Sequence, residues 1–202
     1  MSDRDLDWDA GPQALGLRQL REDPQYPRIP VDRRAALVDA ALEDGRTLAD
    51  LTRDLWGQDP AAIAARCDVP VVRSEVDAGF GSVIVYADYV TRLPSISLYL
   101  PAIRRLDQLV SEQGAQARFG IGSTTAIFLA HELYHHFDCL RGSMRLSRQH
   151  RVRLFGVGSW HWTSGLSSLS EIAAGAFAQR LLGLSFHPAA LDLLLQGAKQ
   201  HH

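Results

Sequence analysis

The chain has 202 residues, of which 46% are hydrophobic and 22% are charged. This length suits a single domain with a sizeable buried core, and the composition is that of an ordinary globular protein. The formal net charge of −2 argues against a dedicated nucleic-acid binder, which normally carries a strongly basic face.

The N-terminal segment, residues 1–30, is polar and rich in aspartate and proline. It lacks the basic and apolar regions of a secretory signal, and no stretch of the chain reaches the ~20 apolar residues that span a bilayer. The two cysteines, Cys67 and Cys139, lie far apart without a CxxC motif, as is typical of a reducing compartment. We therefore expect an N-terminal extension that is loosely attached or laid over the domain surface, on a cytoplasmic protein that has no membrane partner.

The remainder of the chain, residues 31–202, is predicted to form a single domain. Helical spacing of apolar residues alternates there with runs rich in β-branched and aromatic residues, which favour strands. In chain order, we expect one or two helices from Val31 with a break near Gly45, a helix at 60–67, strands at 81–87 and 95–100, and a helix from Pro101 to about Glu112. The predicted fold class is α+β, with a small, mostly antiparallel sheet packed on several helices.

An apolar run, residues 126–130, leads directly into His131-Glu132-Leu133-Tyr134-His135, which is an HExxH sequence. Ser123 or Thr124 can cap this predicted helix, which should run to about Leu140. Its first half is apolar all round, so we expect the helix to be buried. Because an α-helix has 3.6 residues per turn, the imidazoles of His131 and His135 project from one helix face and can share one metal ion. The motif therefore predicts one zinc ion per chain.

Glu132 is offset from His131 by about 100° around the helix, so it misses the metal but can reach a water molecule bound to it. Zinc with three protein ligands and an open fourth position lowers the pKa of that water to about 7. A neighbouring carboxylate can accept the proton and later return it to the leaving group. The sequence thus predicts Glu132 as the general base of a zinc-dependent hydrolase.

A third zinc ligand must come from outside the HExxH turn. The residue six positions after the second histidine is arginine, which excludes a metzincin-type site. A gluzincin-type site takes a glutamate from a later helix, and Glu171, the only glutamate after Glu132, opens such a helix in SEIAAGAFAQRLL. Glu171 is therefore the predicted ligand. Alternatively, Glu171 only interacts with the helix dipole, and His150 or His161 binds the metal.

Further polar groups surround the two ligand segments. His161 lies in a glycine-flanked loop between them and is our candidate for a catalytic residue that stabilises the transition state. His136 is predicted either to contact the substrate or to have a supporting or surface role, and Asp138 either to orient an imidazole or to be solvated. The strand at 95–100 can present its edge to an extended peptide.

The pairing of AHELYHH with the downstream EIAAGAFAQRLL resembles the ImmA/IrrE-type zinc peptidases, a family of compact gluzincins. The likeness covers about residues 47–185 and is most specific at the two helices. It implies a zincin-like fold and a cytoplasmic metallopeptidase, often one that cleaves a transcriptional repressor. It also implies that His131, His135 and Glu171 bind zinc and that Glu132 is the catalytic base.

The function we expect is therefore that of a zinc metallopeptidase that cleaves a protein or peptide, with a transcriptional regulator as one candidate substrate. An alternative is a non-catalytic regulatory or protein-binding module of toxin–antitoxin or phage type that retains a zinc site. A third is a zinc hydrolase that acts on another amide. Glu132 favours an enzyme, because a structural metal site gains nothing from a base beside an open coordination position.

Overall fold

The computed structural model describes residues 10–80, 83–112, 114, 123–142, 145–157 and 160–192, with backbone alone for Phe80, Val83, 155–157, 160 and 161. The helices are α1 (Pro12–Arg21), α2 (Val31–Trp56), α3 (Pro60–Arg66), α4 (Leu100–Glu112), α5 (Thr125–Leu140), α6 (Arg145–Gln149) and α7 (Ser168–Leu182), and a 3-10 helix spans Tyr26–Arg28. The strands are β1 (Val71–Ser74), β2 (Gly79–Phe80), β3 (Val83–Ile84), β4 (Ala87–Val90), β5 (Ser95–Tyr99), β6 (Arg151–Val157) and β7 (Trp160–Gly165). Within these ranges, no helix combines the length and the apolarity needed to cross a membrane.

Several of these elements match the expectations from sequence. The predicted α+β class is confirmed, as are helices α3, α4 and α5 to within about two residues. Asp59 caps α3 as its sequence suggests, because its carboxylate accepts a hydrogen bond from the backbone N–H of Ala61 at 2.9 Å. The strand predicted at 81–87 consists instead of β3 and β4, and residues 81 and 82 are outside the described ranges.

The N-terminal segment is part of the core. Helix α1 packs against α2 and α7, and both Leu20 and Ile29 are buried in the main hydrophobic cluster. The carboxylate of Asp23 accepts hydrogen bonds from the backbone N–H and the hydroxyl of Ser168, at 3.1 and 3.0 Å. The prediction of a loosely attached extension over residues 1–30 is therefore wrong for residues 12–29. The apolar residues of this segment that are buried, Leu15, Leu20 and Ile29, stand among polar ones, so the overall composition concealed the ordered structure.

Helix α2 runs without a break through Gly45. This glycine is buried where α2 crosses α7, and a Cβ atom added to it would lie 2.1 Å from the carbonyl oxygen of Ala173. The glycine therefore allows the two helix backbones to approach closely, and the break predicted there is wrong.

The central sheet has the strand order β1-β5-β4 and is mixed rather than mostly antiparallel. Strand β5 pairs in parallel with β1, where Val71 is opposite Ile96, and antiparallel with β4, where Ala87 is opposite Leu98. The pairs β2–β3 and β6–β7 form separate antiparallel ribbons. Because β5 is paired on both sides, the expectation that its edge receives a peptide is wrong. Among the described strands, β4 is an edge of this sheet.

Helix α5 lies between the sheet and α7. It contacts β4 and β5 on one side and α7 on the other. Nearly all side chains of α7 are buried, because α1, α2 and α5 all pack against it. The HExxH helix is therefore in the interior of the fold, as predicted, and α7 packs directly against it.

Candidate metal centre

The two histidines of the HExxH sequence lie one turn apart on α5. Their Nε2 atoms are 3.2 Å apart, and about a fifth of each side chain is exposed. The apolar first half of α5 is packed in the core, which fixes the direction in which this turn faces. The local helical geometry thus places two nitrogen donors together, as the sequence predicted.

Glu171 comes to the same point from the first turn of α7. Its Oε2 lies 3.1 Å from Nε2 of His131, and its Oε1 lies 3.5 Å from Nε2 of His135. The small buried residues that follow it allow α7 to pack closely against its neighbours. The Glu171 side chain is 52% exposed, so the three groups meet at the surface end of the helix pair.

The donor atoms of this group suit a zinc ion. His131, His135 and Glu171 each offer one ligand atom, and these atoms all lie within 4.8 Å of one another. Zinc–ligand bonds of about 2.0–2.1 Å at tetrahedral angles would separate two ligand atoms by about 3.3 Å. The observed separations of 3.1, 3.2 and 3.5 Å are close to that value. The predicted grouping of these residues is confirmed, and the group could hold a metal ion.

The charges of the three groups are strongly coupled. Burial opposes the charged form of His131, but the hydrogen bond and negative charge of Glu171 raise the pKa of that imidazole to about 9. Burial likewise opposes ionisation of Glu171, yet hydrogen bonds from His131 and His135 hold its pKa well below the usual range. A carboxylate that stays ionised between two imidazoles is a suitable partner for a cation.

Glu132 is buried beside this group, with 8% of its surface exposed, and lines the same cavity as His131 and Glu171. Burial raises the pKa of its carboxyl, although the positive charges of His131 and His135 act in the opposite direction. A raised pKa makes it easier for a carboxylate to take up a proton and to release it again. The carboxyl group of Glu132 therefore lies beside the candidate ligands, in the same cavity.

The sequence offered two rival ligands, His150 and His161. His150 is partly buried against Ile29 and Arg33 and does not belong to the metal group. His161 lies on β7 opposite Gly156, and its side chain is outside the described part of the structure, so its catalytic role stays a prediction.

His136 and Asp138 have structural partners. Nδ1 of the buried His136 lies 3.1 Å from the hydroxyl of Tyr89 on β4, and burial lowers the pKa of its imidazole. Asp138 accepts a hydrogen bond from the backbone N–H of Arg145 and lies 3.6 Å from Arg141. These contacts favour the supporting role considered for His136. Asp138 is buried, so the expectation that it is solvated is wrong, and its recorded contacts are with Arg141 and Arg145 rather than with an imidazole.

Two supporting residues were not anticipated from the sequence. Asp44 on α2 accepts hydrogen bonds from Tyr134 at 2.9 Å and from both terminal nitrogens of Arg141, which ties α2 to the end of the HExxH helix. Ser170 places its hydroxyl 3.4 Å from Nδ1 of His135. Only the adjacency of Ser170 to Glu171 could have indicated its position, and nothing in the sequence pointed to Asp44.

A cavity of about 280 Å³ opens beside the group and is lined by His131, Glu132 and Glu171. Its apolar wall comes from the segment between β3 and β4, from α4 and α5, and from the chain after α7, and includes Ile84, Tyr86, Leu106, Ile127, Phe128 and Leu191. Two polar residues complete the lining, Gln19 on α1 and Asp192 near the end of the described chain. We refer to this space as the acidic cavity.

No protein-family model, curated protein or solved structure matches the chain. The resemblance to ImmA/IrrE-type peptidases therefore stays a prediction that rests on the two helical motifs. Assignment of a function depends on the residues of the centre and on their geometry.

Proposed function

We propose that this chain is a zinc-dependent metallopeptidase that binds one zinc ion through His131, His135 and Glu171. The observation that carries this proposal is the spacing of the three donor atoms, 3.1–3.5 Å, around a point beside the buried Glu132. Two imidazoles and one carboxylate form a donor set that is common in catalytic zinc sites.

An open site is the expected arrangement for catalysis. Structural zinc sites have four protein ligands, whereas catalytic sites have three and keep one position free. The group of candidate ligands found among the described residues has three members, and its carboxylate is half exposed. When bound, zinc would supply a Lewis acid and an activated water molecule.

Glu132 performs the proton transfers in this proposal. Its carboxylate accepts a proton from the attacking water and returns it to the leaving nitrogen of the peptide bond. Burial favours the neutral form of Glu132 and so lets the carboxyl hold the proton between the two steps.

An extended peptide is the substrate that the surroundings of the centre favour. Strand β4 has a partner on one side only among the described strands, and it packs against α5, which carries both histidines. A peptide that paired with β4 would run beside the metal group. Together with the likeness of the two motifs to ImmA/IrrE-type peptidases, this favours a cytoplasmic protein substrate such as a transcriptional regulator.

Metal analysis and peptide cleavage test the proposal together. Purified chain should contain close to one zinc ion, and His131→Ala should lose it, whereas the matched control His150→Ala should retain it. Glu132→Gln should keep the zinc but cleave a random peptide library about 10²–10⁴-fold more slowly, because only proton transfer is lost.

Three results would contradict parts of this proposal. Full zinc content in His131→Ala would show that His131 is not a ligand. Unchanged cleavage by Glu132→Gln would show that Glu132 is not the general base. A wild-type chain that binds zinc but cleaves no peptide or protein would favour the non-catalytic binding module instead.

A further inference from the structure

The acidic cavity is contiguous with the proposed catalytic group, since His131, Glu132 and Glu171 line both. A substrate whose scissile bond lies at this group would therefore place a neighbouring side chain in the cavity. The lining of the cavity then determines which side chain is accepted.

The walls suit a long apolar stem. The ring of Tyr86 stacks on that of Phe128, with centroids 4.6 Å apart and planes inclined by 7°, and the buried residues Leu106 and Ile127 also line the cavity. Aromatic and aliphatic surfaces of this kind bind the methylene groups of long side chains.

Apart from the imidazole of His131, the charged groups on the lining are acidic. Glu132, Glu171 and Asp192 are its acidic residues, and no lysine or arginine is among the described residues that line it. Zinc would neutralise Glu171, which leaves Asp192 as the acidic group outside the catalytic set. Removal from water and then the charge of Glu22 raise the pKa of Asp192 to about 6, while His131 and Arg18 act in the opposite direction.

A second hydrogen-bond acceptor is present in the same cavity. The Oε1 atom of Gln19 is buried and has no hydrogen-bond partner among the described residues. A buried acceptor without a partner is costly, and a ligand that carries N–H donors would satisfy it. Gln19 offers a neutral hydrogen-bond acceptor and Asp192 a negatively charged one. A cationic group with N–H donors would therefore suit both residues.

We propose that the acidic cavity binds a lysine or arginine side chain of the substrate, next to the scissile bond, and that Asp192 selects its positive charge. The stem of such a side chain would lie along Tyr86 and Phe128, and its N–H groups would donate to Asp192 and Gln19. An acidic side chain would be repelled by Asp192. This assignment rests on the proposed peptidase function, which it extends to the class of substrate.

Binding of two small hydroxamates tests the assignment without requiring turnover. Lysine hydroxamate and norleucine hydroxamate share a zinc-binding group and a four-carbon stem, and they differ in the terminal ammonium. Calorimetry on the zinc-loaded chain should show lysine hydroxamate binding at least about tenfold more tightly, as expected for a charge-assisted hydrogen bond. In Asp192→Asn, the ratio of the two affinities should fall to about one.

The matched control is Asp54→Asn, which makes the same chemical change at an exposed position of α2 that does not line the cavity. It should retain the wild-type ratio of affinities. Zinc content and the midpoint of thermal unfolding should be measured for both variants, so that a change in ratio is not attributed to a lost ion or a damaged fold.

The outcomes separate this inference from the proposed function. Equal affinities of the wild type for the two hydroxamates, or an unchanged ratio in Asp192→Asn, would show that the acidic cavity does not select a cationic side chain, even if peptides are cleaved. A charge-dependent ratio in a chain that cleaves no peptide supports the cavity and contradicts the peptidase. If neither hydroxamate binds, both proposals fall.

Discussion

The imidazole of His135 is held at both of its nitrogen atoms. Nε2 faces His131 and Glu171, while Nδ1 lies 3.4 Å from the hydroxyl of Ser170. A metal ion on Nε2 leaves the proton on Nδ1, which would then donate to the Ser170 oxygen. Ser170 is buried, and it directly precedes Glu171, so one helical turn carries one candidate ligand and a hydroxyl that contacts another.

Removal of this hydroxyl should weaken metal binding. In Ser170→Ala, we expect the zinc dissociation constant to rise about tenfold, at the lower end of the range for residues that orient metal ligands, because the contact is long. Competition with a chromophoric chelator measures this change. The control is Ser167→Ala, an exposed serine at the start of the same helix, which should bind zinc like the wild type. An unchanged affinity in Ser170→Ala would show that Ser170 does not orient His135.

At the scale of the elements, the centre depends on how closely α7 packs against its neighbours. Gly45 allows α2 to approach α7, with the carbonyl oxygen of Ala173 only 2.1 Å from the position that a Cβ atom would take. Helix α7 carries Glu171, and Asp44, the residue before Gly45, is tied to Tyr134 on α5. The crossing of α2 and α7 is thus linked both to the helix that carries Glu171 and to the helix that carries the two histidines.

Gly45→Ala should therefore destabilise the protein, although alanine in a helix interior is normally more favourable than glycine by about 1 kcal/mol. The added methyl group meets backbone atoms of α7 that must move, so we expect a net loss of about 1–3 kcal/mol in the free energy of unfolding. Urea denaturation measures this loss, and zinc affinity should fall with it.

The matched control for this packing effect is Gly11→Ala. A Cβ atom at Gly11 meets nothing within 4 Å, so the change there should cost at most about 1 kcal/mol, the difference between glycine and alanine at a helix N-cap. Equal stability of the two variants would contradict a tight crossing at Gly45.

At the scale of the whole molecule, the buried His187 should make stability depend on pH. Its side chain packs against Gly175 of α7, and its Nδ1 accepts a hydrogen bond from the backbone N–H of Ala189. Burial first, and then the positive charges of Arg46 and His131, lower the pKa of this imidazole to about 4. The folded state therefore keeps His187 neutral over a range in which an unfolded chain, with a pKa near 6.5, takes up a proton.

The sign of the effect follows from proton uptake. Above about pH 6.5 both states are neutral at His187, and its contribution to stability is constant. Between pH 6.5 and pH 4 the unfolded state binds more protons, so stability is lost as the pH falls. The free energy of unfolding, taken relative to His187→Gln, should decrease by at most about 3 kcal/mol over this window. Urea titrations at several pH values measure it, and a difference that does not vary with pH would contradict the assignment.

Much of the local structure could be predicted from the sequence, because helical periodicity and capping are properties of short windows. The limits of α3 and α5, and the common direction of His131 and His135, follow from the spacing of residues within one or two turns. The choice of Glu171 as a third ligand also came from the sequence, through its place at the start of a helix rich in small residues. The sequence did not show that Glu171 lies close to the two histidines.

Tertiary packing decided the remaining features, because they join residues that are distant in the chain. Glu171 meets His131 across 40 residues, and Tyr134 meets Asp44 across 90. Such contacts depend on how whole helices pack, and no short window of sequence encodes that. For the same reason, the burial of α1 and the pairing of β5 on both sides contradicted expectations based on local composition. The acidic cavity likewise depends on the fold, because only the packing of the helices brings Gln19 of α1 and Asp192 beside the candidate metal group on α5 and α7.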